Sequence, residues 1–237
     1  MAFVRITSAA RQSTNGNGFT TASFDSTGGN TVIVVLNQTT SGTGAVTDNK
    51  GNTYAELTPI SFGQKTSIWY AQNATCGTGH TITVSGTGNF PALWYGVFSG
   101  GLTSGLFNKE APGPGIANST TTVQPGSTTP DQNDSLLVAG LGISNGDTAS
   151  INGGFSTPDQ LTVAGGAAYG VAGSYLIQTT AAAANPTWTW ATGDNRQAPM
   201  AVFKPAAVGS SSVSPSVSPS ASVSPSSSAS ASVSPTP

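Results

Sequence analysis

The sequence predicts an all-β fold: a jelly-roll-like antiparallel β-sandwich over residues 1–207, followed by an extended Ser/Pro-rich tail over 208–237. Three observations predict it. Short runs rich in β-branched and aromatic residues recur through residues 1–205. Turn signals built on Gly and Asn separate them at intervals of about ten residues. No stretch shows an apolar stripe of helical period, about 3.6 residues.

The candidate strands follow in chain order. Segments 2–7 and 18–25 precede the run Val32, Ile33, Val34, Val35 and Leu36, whose continuous apolar character suits a central strand covered on both faces. Segments 44–48 and 53–58 flank the turn Asp48-Asn49-Lys50-Gly51-Asn52. Segments 65–71 and 80–84 alternate, so every second residue faces one way. Segments 90–98 and 118–124 follow, and 108–117 between them reads as the one long irregular connection. Ser135, Leu136, Leu137, Val138 and Ala139 form a second continuous run. Segments 160–164, 169–178, 187–190 and 197–204 complete the set; in 187–190 both indoles, Trp188 and Trp190, fall on one side. About twelve to fourteen strands fit, as regular short strands with Gly/Asn turns do in a sandwich.

Composition narrows the function. Charged residues make up 7 % of the 237 positions and the net charge is -2, against roughly 25 % charged in typical domains. No basic surface exists for a phosphate backbone or an anionic membrane. One His and one Cys leave no cluster for zinc. No apolar run approaches about 18 residues, so no helix inserts in a membrane. The opening residues Met1 to Ser8 have no basic n-region or apolar stretch of signal-peptide length and read as a first strand. The low charge with abundant Thr, Gly and Asn points to an extracellular setting, at a cell or virion surface.

No catalytic pattern emerges. The chain has no phosphate loop or dinucleotide fingerprint. Any Ser-His-Asp triad must use His80, which reads as a strand-opening residue. Cys76, two glycines away from it, reads as an incidental turn cysteine. Glycoside hydrolysis needs two facing carboxyl groups, but the acidic residues are Glu56, Glu110 and seven Asp, most in turn contexts. The 48–52 turn has a faint calcium-loop character that stops before the further acidic ligands such a loop requires. No catalytic, metal or cofactor-binding residue is assigned.

Two kinds of binding residue stand out. Trp69, Trp94, Trp188 and Trp190, with Tyr70 and Tyr95, are candidates for stacking on sugar rings, although strand tryptophans commonly fill cores. The sequons at Asn37, Asn73, Asn118 and Asn133 match chance for so Asn- and Thr-rich a chain. In the tail, Val-Ser-Pro recurs from Val213, Val217, Val223 and Val233. Ser/Thr-rich sequence with Pro is the composition of O-glycosylated stalks, which makes Ser214, Ser218, Ser224, Ser234 and Thr236 the candidate acceptors. Fully extended, such a tail would reach about 90 Å at about 3.1 Å per residue.

The segment Val46-Thr47-Asp48-Asn49-Lys50-Gly51-Asn52-Thr53-Tyr54, then Ile68-Trp69-Tyr70-Ala71 and His80-Thr81-Ile82-Thr83-Val84, resembles a pattern in uncharacterised jelly-roll or β-sandwich domains of secreted bacterial and phage-associated surface proteins. The likeness covers about residues 30–100. It implies surface or particle structure and brings no catalytic residues. The leading expectation is a non-enzymatic structural subunit that polymerises with copies of itself into an extracellular fibre, its tail carrying glycans. The alternative is a phage or cell-surface adhesin that binds carbohydrate.

Overall fold

The computed structural model describes residues 2–206 apart from 87–88, 114 and 164–168. The tail and its candidate acceptors Ser214, Ser218, Ser224, Ser234 and Thr236 lie outside the described residues. The first half of the chain forms β1 (Val4–Gln12), β2 (Phe19–Thr20), β3 (Thr31–Gln38), β4 (Val46–Asp48), β5 (Ala55–Glu56), β6 (Ile60–Phe62), β7 (Gln64–Gln72), β8 (Ile82–Val84) and β9 (Ala92–Ser99). The second forms β10 (Phe107–Glu110), β11 (Ile116–Val123), β12 (Ser135–Ile143), β13 (Ala149–Ile151), β14 (Asp159–Leu161), β15 (Gly170–Gln178), β16 (Trp188–Gln197) and β17 (Met200–Phe203).

The all-β expectation holds, with antiparallel pairing between strands. Four sheets form. The first half has a large sheet in the order β1-β9-β3-β7-β5, with β6 also on β7, and a small sheet β2-β8-β4. The second half repeats this order as β10-β17-β12-β15-β14 and β11-β16-β13. The repetition extends to register. Thr31 faces Phe98 as Leu136 faces Phe203, and Ile33 faces Tyr70 as Val138 faces Tyr175. Even the bulges correspond: β1 slips between Arg5 and Thr7, and β10 between Phe107 and Lys109, at the same place on their partners. The isolated bridge Phe24–His80 has its counterpart in Thr128–Ala184.

Burial arranges the sheets in four layers. Along β3, Ile33 and Val35 point into a core shared with Leu136 and Val138 of β12. Their neighbours Val32, Val34 and Leu36 point the other way, toward Ile82 and Val84 of the small sheet. On β12, Leu137, Ala139 and Leu141 likewise face Trp188 and Trp190. The two large sheets therefore pack on each other, and each small sheet covers an outer face. This is why both continuous apolar runs are buried along their whole length, as their composition predicts. Polar ties span the central layer: Asn37 Nδ2 donates to Gln64 Oε1 and Gly170 O, both at 2.8 Å. Trp94 Nε1 donates to Asp159 Oδ2 at 3.2 Å.

Two expectations change. Among the described residues seventeen strands form instead of about twelve to fourteen, because pieces of two to four residues such as β6, β10 and β13 are too short to show a period. The segment 108–117 is not irregular throughout: β10 and the first residues of β11 occupy half of it. Its Pro and Gly residues cluster between those strands, over 112–115.

Candidate functional site

The residues that carry the family resemblance converge on one buried cluster. Asp48 ends β4, and the chain then turns through Gly51 at φ 76°. This turn wraps the backbone around the Asp48 carboxylate, so that the N–H groups of Lys50 and Asn52 both donate to Oδ1 at 3.0 Å. Oδ2 accepts from Asn52 Nδ2 at 2.7 Å and Tyr54 OH at 2.9 Å, and lies 3.0 Å from His80 Nε2. The side chains of His80 and Asp48 are completely buried. Burial pushes the Asp48 carboxyl up, but the donors from Asn52, Tyr54 and His80 outweigh it and hold the group below the ordinary carboxylate range. Burial, then the Asp48 charge and its hydrogen bond, drive Tyr54 far above the ordinary phenol range.

On the other side of the imidazole, Ser26 Oγ lies 2.8 Å from Nδ1 and also accepts from Gly77 N–H at 2.9 Å. Phe24 stacks on the His80 ring, with centroids 4.9 Å apart, and on Tyr95 at 4.3 Å. Cys76 sits half-buried beside Ser26, where burial pushes its thiol up. Asn49 and Lys50 tie this assembly to the 78–81 segment: Asn49 Nδ2 donates to Gly79 O and Lys50 Nζ to Thr78 O, each at 2.8 Å.

A serine, a histidine and an aspartate thus stand in hydrogen-bonded sequence, and the chemistry they can perform is limited by access. Ser26 and His80 are wholly buried, and the Ser26 hydroxyl is engaged on both sides. A nucleophile must reach a reacting atom about 3 Å away, and here the neighbours are protein atoms. The Asp48 oxygens face donors, which leaves them unsuited to a calcium ion. The cluster is a polar clamp joining β4, the 48–54 turn and the 75–81 loop. Among the described residues, no group of three or more His, Cys, Asp or Glu side chains converges on a metal position.

Three of the four candidate stacking tryptophans lie inside the fold. Trp94 and Trp188 are fully buried and Trp190 is 4 % exposed. Trp94 lies between the two large sheets, and Trp188 and Trp190 face β12 in the outer core. Their alternation is as predicted, but the face they share points inward, because a strand buries its larger apolar side chains. Trp69 is half-buried, and its Nε1 donates to Ser67 Oγ at 2.9 Å. Tyr95 is buried under Phe24. Tyr70 borders a shallow depression with Thr53, Ala55 and Gln72, but its ring packs on Phe107 and Phe203, at 6.0 and 5.6 Å. An apolar cleft of about 70 Å³ opens where β5 and β7 meet β10 and β17, lined by Leu57, Ile60, Ile68 and Met200. Its carboxylate, Glu110, is held by the N–H of Thr58 at 2.8 Å.

One feature was not anticipated from the sequence. Arg196 is fully buried, with its guanidinium 4.4 Å from the Trp190 ring centroid and Nη2 donating to Asn145 Oδ1 at 2.6 Å and Asp147 O at 3.1 Å. Its sequence signal is slight: an arginine just past the predicted 187–190 strand, following Asp194 by two residues. The terminal strand, which the sequence offers for pairing with a neighbouring copy, runs as β1 at the end of its sheet. Val4 is 56 % and Ile6 36 % exposed, and with Ile116 they are the large exposed apolar side chains of the described surface. β1 pairs with β9 on one side only.

The comparisons place no known protein beside this chain: no family model, curated protein or solved structure matches it.

Proposed function

We propose that this chain is a non-enzymatic structural subunit, built from two jelly-roll units in tandem, that polymerises with copies of itself into an extracellular fibre at a cell or virion surface. The observation that carries the reading is β1, a nine-residue strand that pairs with another strand on one side only and on which Val4 and Ile6 are exposed. Exposed edges of this kind pair readily with another chain. The charge is too low to keep copies apart by repulsion: 7 % charged residues and a net charge of -2.

The jelly-roll assignment draws support from the strand order. In an eight-stranded jelly roll the first, eighth, third and sixth strands are adjacent; β10-β17-β12-β15 follows that order, and so does β1-β9-β3-β7 when β5 and β6, which both pair with β7, are counted as one strand. The burial of Ser26 and His80 supports a non-enzymatic role, and the burial of Trp94, Trp188 and Trp190 favours the fibre over carbohydrate recognition.

Negative-stain electron microscopy of the full chain, with intact mass spectrometry, tests the proposal. Regular filaments are expected, with masses above 23.5 kDa where the tail is glycosylated. Dispersed monomers at every concentration would overturn the fibre reading.

A further inference from the structure

The tail has a period that its Val-Ser-Pro repeats only partly display. From Ser210 to Thr236 every even-numbered position is Ser or Thr. The odd-numbered positions from Val213 to Pro237 hold Val, Ala or Pro, with Ser227 the exception. Every proline of the tail, Pro215, Pro219, Pro225, Pro235 and Pro237, is in the odd set. A period of two is that of a β-strand, whereas polyproline II repeats every three residues.

The consequence is one of hydrogen bonding. In an extended strand, the N–H and C=O of one residue point to one side and those of the next to the other. With every proline in one set, the missing donors all fall on one edge. The Ser/Thr edge keeps a full set of N–H groups. Such a strand can add to a sheet by its Ser/Thr edge, and its proline edge then resists a further strand, as prolines do on natural sheet edges.

We propose that a stretch of about nine residues within 210–236 of one copy adds as a β-strand to the outer edge of β1 in a neighbouring copy. This rests on the self-assembly reading above and names the contact that produces it. Length selects β1 among the described edges. The edge strands β2, β4, β5, β6, β10, β13 and β14 have two to four residues. The remaining long edge, β11, breaks register twice against β16 and has a positive φ at Ser119. β1 has nine residues with a single register break, between Arg5 and Thr7, and Val4 and Ile6 are exposed on it. The position of the tail's root is compatible. Ala206 N–H donates to Gly100 O at 2.7 Å, and Gly100 packs on Ala2, just before β1, so closely that a Cβ would lie 2.3 Å from Ala2 O. Donor and acceptor segments therefore meet at one end of the subunit.

The test compares two full-length variants with equal numbers of added prolines, all in the tail. The even-set variant carries Ser216→Pro, Ser222→Pro, Ser228→Pro and Ser232→Pro; the odd-set variant carries Val217→Pro, Val223→Pro, Ala229→Pro and Val233→Pro. None of these positions is a candidate glycan acceptor. Filament yield is read by sedimentation and microscopy, and protection of β1 amides by hydrogen exchange. The even-set variant is expected to lose at least tenfold in sedimentable filament and the β1 protection, while the odd-set variant keeps both. Filaments from both variants would remove the tail from the contact and leave the fibre reading standing. Equal loss in both would show that parity is irrelevant and overturn the strand assignment. Wild-type chains that never assemble would defeat both readings. Protection of β1 in a chain that sediments as a monomer would put the tail on its own subunit and overturn exchange between copies.

Discussion

The Asp48 carboxylate collects donors from two backbone N–H groups and three side chains, so its removal strands all of them at once. Asp48→Ala is expected to destabilise by about 3 kcal/mol or more, the range for breaking a buried charged network, measured by urea unfolding. The pH dependence follows from the directions of the shifts. The Asp48 carboxyl is depressed in the folded state, so its contribution is complete above the unfolded value of about 3.9 and is lost as pH falls through the folded value. Tyr54 is shifted upward, so its contribution is complete below the unfolded value of about 10 and is lost as pH rises through the folded one. Asp25 and Asp131 are also lowered, the first by Thr27 and the second chiefly by Lys109, but at exposed sites where solvent screens them. Wild-type stability should therefore fall on the acid side as Asp48 is protonated and on the alkaline side as Tyr54 is ionised. Asp48→Asn should flatten the acid limb and Tyr54→Phe should reduce the alkaline one. An acid limb of unchanged steepness in Asp48→Asn would show that other carboxylates carry it.

Packing at the level of elements depends on close approach between the two large sheets. Gly173 of β15 lies under the Trp94 indole of β9, and a Cβ there would sit 2.1 Å from Trp94 Cδ2. Gly173→Ala should cost about 2 kcal/mol by overpacking, and much less in a Trp94→Leu background. A double-mutant cycle checks this, and a coupling below about 0.5 kcal/mol would mean that the sheets part freely at this point. Long strands of this kind were legible in the sequence, since β3 and β12 announce themselves by continuous β-branched and aliphatic runs and β7 by alternation. What the sequence hid was the partner of each face. Trp188 and Trp190 show the right period, but a period does not say whether the shared face meets water or a second sheet. The tandem repeat was equally hidden: among corresponding ladder positions the halves share residues such as Leu36 with Leu141, Tyr70 with Tyr175, and Phe98 with Phe203. Between these, any apolar residue of suitable size serves. The buried clamp was half-visible. Asp48, Asn52, Tyr54 and His80 stood in the recognised pattern, whereas Ser26 and Phe24 come from a distant turn with no local mark.

At the scale of the molecule, the central core binds the two halves into one folding unit. Ile33, Val35, Trp94 and Phe98 from the first half interlock there with Leu136, Val138, Val171 and Phe203 from the second. Either half alone would turn one apolar face of its large sheet to water, at roughly 25 cal/mol for each Å² of apolar surface exposed. The halves also exchange buried hydrogen bonds, from Asn37 to Gly170 O and from the Gln197 side chain to Phe62 O. Unfolding of one half should therefore take the other with it, despite their matching topologies. Native-state hydrogen exchange reads this directly, because amides of β3 and β12 should be released by the same global opening. Phe98→Ala, a truncation in the shared core, is expected to lower protection in both strands equally, by about 3–5 kcal/mol. If β12 kept its protection while β3 lost it, the halves would be separate units resting on one another. A fibre contact at β1 would then strain only the first of them. If both fall together, a pull applied at β1 would pass through β9, β3 and the central core to the second half.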